Sequence, residues 1–245
     1  MQPLTVVVPT YNEAENLRPL AESLWSLNLP ELRILIVDDA SPDGTGRLAE
    51  ALGEERPGRI SVIHRQGKLG LGSAYITGFK KALDDGAQAV AQMDADFSHS
   101  PAYLPDFAEH LLAADAVFGS RYIPGAKLDE RWGVGRVLLS RWGNFYARTI
   151  LGLRVKDATG GFRMWRAETL RGMPLDFVRS NGYLFQVEMA YVAQRLGYRT
   201  LERPIYFEDR RIGRSKMSMA IQVEAAIRIW QLLVIHRHLR PPHTG

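Results

Sequence analysis

Asp94 and Asp96 stand one residue apart, directly after the mostly apolar run AVAQM. Two carboxylates this close repel each other unless protons or a cation sit between them. In a strand, residues i and i+2 point to the same side, so both would face one site if the strand reaches residue 96. The chain has no cysteine, which leaves oxygen ligands and favours Mg²⁺ or Mn²⁺ over Zn²⁺. Mg²⁺ takes one or two carboxylates and completes its shell with water and substrate phosphates. The pair therefore points to a cation that carries a phosphorylated substrate. A solvated acidic loop and an N-cap for a helix beginning at Pro101 are the two bland alternatives.

Further residues with chemical potential fall at similar places. Tyr11 and Glu13 follow LTVVVPT, Asp38 and Asp39 close LRILIVDD, and Arg121 closes DAVFGSRY. Of six histidines, His99 alone lies beside one of these stretches, and it reads as structural. In GLGSAYITG the third glycine of the dinucleotide pattern is missing. Those glycines are expected to let a helix approach a sheet closely. Asp157, in DATGGFRMWR, reads equally as a substrate contact or a loop clamp, and Glu188 as a sugar contact or a structural group.

The elements that must position these groups follow from periodicity. Short β-branched runs predict strands at 4–10, 32–41, 59–65, 87–96 and 115–122. Between them, apolar residues at helical spacing predict helices; Asn12 and Glu15 resemble a capping box for the first. Alternating strand and helix implies an α/β class with a mostly parallel sheet covered on both faces, and ligands at the carboxyl ends of its strands. The second half predicts helices over about 135–151 and 183–196, a strand at 203–208, and a last helix within 217–239. No linker is visible, so residues 1–217 read as one catalytic domain, with 218–245 as a C-terminal amphipathic helix and basic tail.

Charge is distributed unevenly. Residues 1–120 hold 9 Lys/Arg against 17 Asp/Glu, a net −8; residues 121–245 hold 22 against 10, a net +12. A basic half suits anionic partners such as phosphates or an acidic lipid surface. No nucleic-acid module is recognisable. The lack of cysteine is compatible with a reducing cytoplasm, and Met1–Val8 is too short for a signal peptide.

Seven stretches occur in order: VPTYNEAENL, VDDASPDGTG, KLGLGSAYITGF, QMDADFSHSP, GSRYIPGA, DATGGFRMWR and DRRIGRSKM. Together they resemble the dolichol-phosphate (polyprenol-phosphate) mannosyltransferases of the family 2 glycosyltransferases, over about residues 4–217. The resemblance implies a glycosyltransferase type A fold and transfer of mannose from GDP-mannose to a polyprenyl phosphate with inversion. It places Asp94 and Asp96 on a Mg²⁺ or Mn²⁺ ion at the donor diphosphate. It puts Pro9, Tyr11, Glu13, Val37 and Asp39 in the nucleotide pocket and Ala95 against the donor. Arg121, Arg210 and Lys216 match basic positions at the donor and acceptor phosphates, and Arg136 and Ser140 match acceptor-phosphate contacts. Some relatives carry glutamine two residues after the second aspartate. Here that position is Ser98, which implies a metal shell completed by water.

The chemistry is self-consistent. A phosphate monoester has a second pKa of roughly 6, so the acceptor is already a nucleophile near neutrality and needs no side-chain base. A polyprenyl tail requires contact with a bilayer. Segment 219–235 falls short of the roughly 20 uninterrupted apolar residues of a span. With Glu224, Arg228 and Gln231 on one stripe, it is expected to lie in the headgroup region or to pack on the domain. The expectation is a peripheral enzyme on the cytoplasmic membrane face. A UDP-sugar transferase, a nucleotidyltransferase and a sugar-nucleotide binder are the rival classes.

Overall fold

In β1 (Leu4–Thr10), Val6, Val7 and Val8 are all completely buried, as a central strand covered on both faces requires. The period-2 alternation sorts them. Val6 and Val8 join the core layer that holds Leu17, Leu20 and Leu24 of α1 (Ala14–Trp25), whereas Val7 joins the opposite layer with Tyr75 and Phe79 of α3 (Leu71–Asp84). β2 (Leu32–Asp38) divides in the same way, with Ile34 and Ile36 to one side and Leu35 and Val37 to the other.

A computed structural model describes residues 3–209 and 219–241, and the side chains of 219–225 are not described. The other strands are β3 (Ile60–His64), β4 (Ala89–Gln92), β5 (Ala116–Ser120), β6 (Lys127–Leu128), β7 (Arg163–Arg166), β8 (Thr200–Pro204) and β9 (Tyr206–Phe207). The main sheet has seven strands in the order β3-β2-β1-β4-β7-β5-β8. Strands β1 to β4 and the β5–β8 pair are parallel, and β7 alone runs antiparallel, inserted between β4 and β5. β6 and β9 form a separate parallel pair. The remaining helices are α2 (Thr45–Glu55), α4 (Leu104–His110), α5 (Val134–Leu151), α6 (Ala167–Gly172), α7 (Tyr183–Arg195) and α8 (Met219–Ile235).

Close approach explains two glycines of α3. A Cβ on Gly72 would overlap the Ser180 carbonyl oxygen, and one on Gly78 would overlap Val7 Cγ1. Three expectations need correction. β4 ends at Gln92, so Asp94 and Asp96 lie in the turn after the strand. The segment 203–208 is broken at Ile205 into the ends of two strands in different sheets. Asn12 does not cap α1; the backbone N–H groups of Asn12, Glu13 and Ala14 instead donate to Ser41 Oγ, Thr45 Oγ1 and Asp43 Oδ2 across the loop after β2. Burial works against the Asp43 carboxylate, but hydrogen bonds from Thr45 and Ala14 outweigh it and hold its pKa below the usual range.

Helix α8 buries Ile229 and Leu232, with His236 just past its end, against α5 and α7. His236 Nε2 lies 2.7 Å from Glu188 Oε1 on α7, both side chains 1% exposed, and Glu188 Oε2 accepts the Ser180 N–H. Glu188 thus serves the docking of α8, not a sugar hydroxyl. Replacing Glu188 with alanine leaves two buried polar groups unmatched and is expected to cost about 1–3 kcal/mol in urea unfolding. Turnover per folded molecule should stay near wild type; full stability with lost turnover would restore the sugar-contact role.

Candidate active site

The strand order reverses direction between β1 and β4, and the loops leaving β1, β2 and β4 converge at that switch point. The backbone there is strained. Asn12, Ala40 and Phe97 have φ of 62°, 54° and 61°, and they are the non-glycine residues with positive φ among the described residues. Each follows one of these three strands. Such conformations cost about 1–3 kcal/mol each and concentrate where a fold holds a ligand site.

Asp94 and Asp96 are fixed by different partners. Tyr75 donates its hydroxyl to Asp94 Oδ1 at 3.0 Å, and the Asp94 N–H donates to His99 Nδ1 at 3.2 Å. His99 is buried and stacks on Phe162 with ring centroids 5.1 Å apart. Burial lowers its pKa, against the opposing pull of the two aspartates, so His99 is a neutral positioning group. Burial, then the charge and hydrogen bond of Asp94, raise the Tyr75 pKa well above 10 and keep it a donor. Asp96 is 5% exposed, and its Oδ1 accepts both the N–H (3.0 Å) and the hydroxyl (2.6 Å) of Ser98. Ser98 therefore orients Asp96.

Behind this turn, Gln92 donates to the Gly161 carbonyl and to Gln186 Oε1, and accepts from the Trp165 indole N–H. Arg163 is wholly buried, donates to the carbonyls of Ala158, Gly160 and Gln186, and lies 4.0 Å over Phe118. Burial lowers its pKa to about 9. These residues tie β4, the 157–162 loop and α7 into one support.

Asp39 lies beside the β1 end, where its N–H donates to the Thr10 carbonyl. Burial pushes its carboxyl above the usual range, only partly opposed by Arg65 at 3.0 Å. Its Oδ1 is the atom that meets Arg65 Nη1. Asp38 is instead spent on the loop, accepting from Thr10, Ser41 Oγ and the Ser41 N–H.

The model of the glycosyl transferase family 2 matches residues 5–172. The chain belongs to that family. It is 45% identical to an undecaprenyl-phosphate mannosyltransferase of Micrococcus luteus over 98% of both chains. It is 42% identical to a polyprenol monophosphomannose synthase of Mycolicibacterium smegmatis, covering 91% of this chain and 84% of that one. Among solved structures it resembles glucosyl-3-phosphoglycerate synthase of Mycobacterium tuberculosis in complex with Mn²⁺, UDP and glucosyl-3-phosphoglycerate, at a TM-score of 0.65 and 19% identity. That match covers 100% of this chain and 82% of the other. The expected type A glycosyltransferase fold is borne out.

For a family 2 glycosyl transferase, the residues singled out by sequence fall into distinct groups. Tyr11, Glu13 and Asp39 stand with Asp94 and Asp96 in the loops at the switch point, and Pro9 lies on β1. Tyr11 is covered by Lys68, 4.4 Å over its ring, and Glu13 Oε2 accepts from Asn16. Val37 points away, wholly buried beside the Gly78 backbone, and the Ala95 methyl packs in the core. Neither side chain faces the cleft. Arg121 is bound by Asp157: its N–H, Nε and Nη2 donate to that carboxylate at 2.9, 2.7 and 2.8 Å. Asp157 thus acts as a clamp, and Arg121 is a braced cation. Arg136 and Ser140 lie one turn apart on α5; Arg136 reaches Asp209 at 2.8 Å and sits over Trp132, and Ser140 meets the Tyr122 hydroxyl at 2.7 Å. Arg210 and Lys216 lie outside the described residues. Sequence reasoning missed Tyr75, Gln92, Ser98 as a brace, and Arg163. Glutamine within the apolar AVAQM run was the one available signal.

Proposed function

We propose that this chain transfers mannose from GDP-mannose to a polyprenyl phosphate, with inversion at the anomeric carbon. The observation that carries the reading is its end-to-end likeness, at 45% identity, to an undecaprenyl-phosphate mannosyltransferase. The braced carboxylates at the switch point support it.

Among the described residues no group of three or more His, Cys, Asp or Glu is placed to hold a metal. Two carboxylates suffice for a Mg²⁺-type ion that shares its shell with substrate phosphates and water, so the donor set fits. Asp94 and Asp96 would hold the cation, which supplies Lewis-acid neutralisation of the GDP leaving group. Asp39, just past the end of β2, would meet a nucleoside hydroxyl. Arg136 and Ser140 would orient the acceptor phosphate, and Arg210 and Lys216 would add positive charge for the substrate phosphates. An acceptor phosphate oxygen forms its bond to the anomeric carbon as the bond to the β-phosphate oxygen breaks. GDP departs with that electron pair, and no proton need leave the acceptor dianion.

No helix among the described residues is long and apolar enough to cross a membrane. We infer a peripheral position on the cytoplasmic membrane face; its membrane contact is supported by the apolar side chains that α5 and α8 leave exposed: Val134, Leu138, Trp142 and Phe145, with Ile227, Trp230 and Val234. Trp142 stacks on Tyr146, whose hydroxyl accepts from Trp230, so the two helices present one surface.

The test is transfer of radiolabel into the organic phase. Protein, Mg²⁺ or Mn²⁺ and a short polyprenyl phosphate in detergent are mixed with labelled GDP-mannose or UDP-glucose in parallel. Label extracted from GDP-mannose alone is expected. Label from UDP-glucose alone would keep the reaction class and overturn the donor. Label from neither would overturn the reading.

A further inference from the structure

Next to Arg121, on the flank of α5, the surface folds into an open cleft of about 510 Å³. Its lining includes Arg141, Arg148 and Lys156, and no aspartate or glutamate. Arg121 also borders it, but Asp157 neutralises that charge. Among the described residues Arg141, Arg148 and Lys156 form no ion pair within 4.0 Å, and the buried Nε of Arg148 has no hydrogen-bond partner there. Three uncompensated cations facing one concavity repel one another unless an anion sits among them.

The chemistry of the walls narrows that anion. Arg141 and Arg148 are seven residues apart on α5, which places them about 10 Å apart along one face. Asn144 lies between them and is fully used: it donates to the Lys156 carbonyl and accepts the Ala158 N–H, which fixes the cleft floor. Phe145, also on this face, is 63% exposed and leads to the uncovered Leu138 and Trp142. One side of the cleft is thus cationic and the other opens onto an apolar face. A phosphate ester with hydrocarbon attached matches both. Arg141 and Arg148 lie about 80–100° around the helix from Ser140, while Tyr122, which also lines the cleft, meets Ser140 Oγ at 2.7 Å, so the cleft adjoins the Arg136–Ser140 face.

We propose that this cleft seats the phosphate headgroup of an anionic membrane phospholipid, adjoining the acceptor site and held by Arg141, Arg148 and Lys156. The inference rests on the proposed function only in taking the acceptor to be a lipid. A headgroup held here would set the depth and tilt at which α5 meets the bilayer.

The test is flotation of the full chain with vesicles of phosphatidylcholine, alone or mixed with phosphatidylglycerol. Wild type should prefer the anionic vesicles. The Arg141→Ala/Arg148→Ala double variant should bind them about 30-fold more weakly, roughly fivefold per cation, with little change on phosphatidylcholine. A charge-matched control, Arg33→Ala/Arg171→Ala, removes two exposed cations elsewhere and should lose much less. Transfer to a short acceptor in detergent should stay within about threefold of wild type for the double variant. An undiminished preference for phosphatidylglycerol, or a loss equal to that of the control, overturns the proposal. So does a collapse of transfer in detergent, which would assign the cleft to the acceptor's own phosphate. If wild type makes no mannolipid yet the flotation pattern holds, the proposed function falls and the headgroup cleft stands.

Discussion

Changing Asp96 to asparagine is expected to lower turnover by about 10²–10³-fold while the fold survives. Asparagine keeps an oxygen where Ser98 donates, so the turn should persist. What disappears is the negative charge that, on the proposed reading, would hold a cation, and losing one charge stabiliser of a transition state typically costs about 3–4 kcal/mol. Label transfer from donor to lipid reads the rate, and circular dichroism melts read the fold. Activity within fivefold of wild type, at any concentration of Mg²⁺ or Mn²⁺, would remove Asp96 from the metal role.

The second large effect concerns stability. Asp157→Asn leaves the Arg121 guanidinium, 8% exposed, without its counter-charge. Breaking one partner of a buried pair costs about 3–5 kcal/mol, and for a chain of this size each kcal/mol lowers Tm by about 2–4 °C. The pH dependence has a definite sign. Burial alone would raise the Asp157 pKa, but the charge and hydrogen bonds of Arg121 more than offset this and hold it below the ordinary carboxylate value. The native state therefore binds this proton less readily than the unfolded chain. The pair's contribution is fully present above about pH 4 and is lost as pH falls through the lower native pKa. The gap in Tm between wild type and variant should thus be widest near neutrality and close in acid. Equal melting at pH 7 would mean that Arg121 finds another partner.

Much of this arrangement was legible in the sequence because it depends on local pattern. Runs such as LTVVVPT and LRILIVD could only be strands buried on both faces, and the acidic residues crowding their ends marked the ligand side of the sheet. What escaped depends on partners far along the chain. RMWR in 163–166 read as part of a loop, since two arginines in four residues do not look buried. Its place in the sheet is set by β4 and β5, and the Arg163 charge is absorbed by three carbonyls that no spacing rule reveals. The capping of α1 by Asp43 and Thr45, and the pairing of Glu188 with His236, are long-range in the same sense. For the site, residue types announced the carboxylates. The orienting groups Tyr75 and Gln92 are ordinary helix and strand residues whose role exists only after folding.

The insertion of β7 has a kinetic meaning. β4 can pair with β1 soon after residue 92 has left the ribosome, but its other edge waits for residues 163–166. At a synthesis rate of about 5–20 residues per second, those roughly 70 residues take on the order of several seconds. Throughout that interval a strand destined for complete burial shows an unpaired edge, the kind that neighbouring chains can extend. Crowded polysomes are thus the setting in which this fold is most exposed to misassembly, and the turn at Asp94 and Asp96 is framed only after β7 has been made.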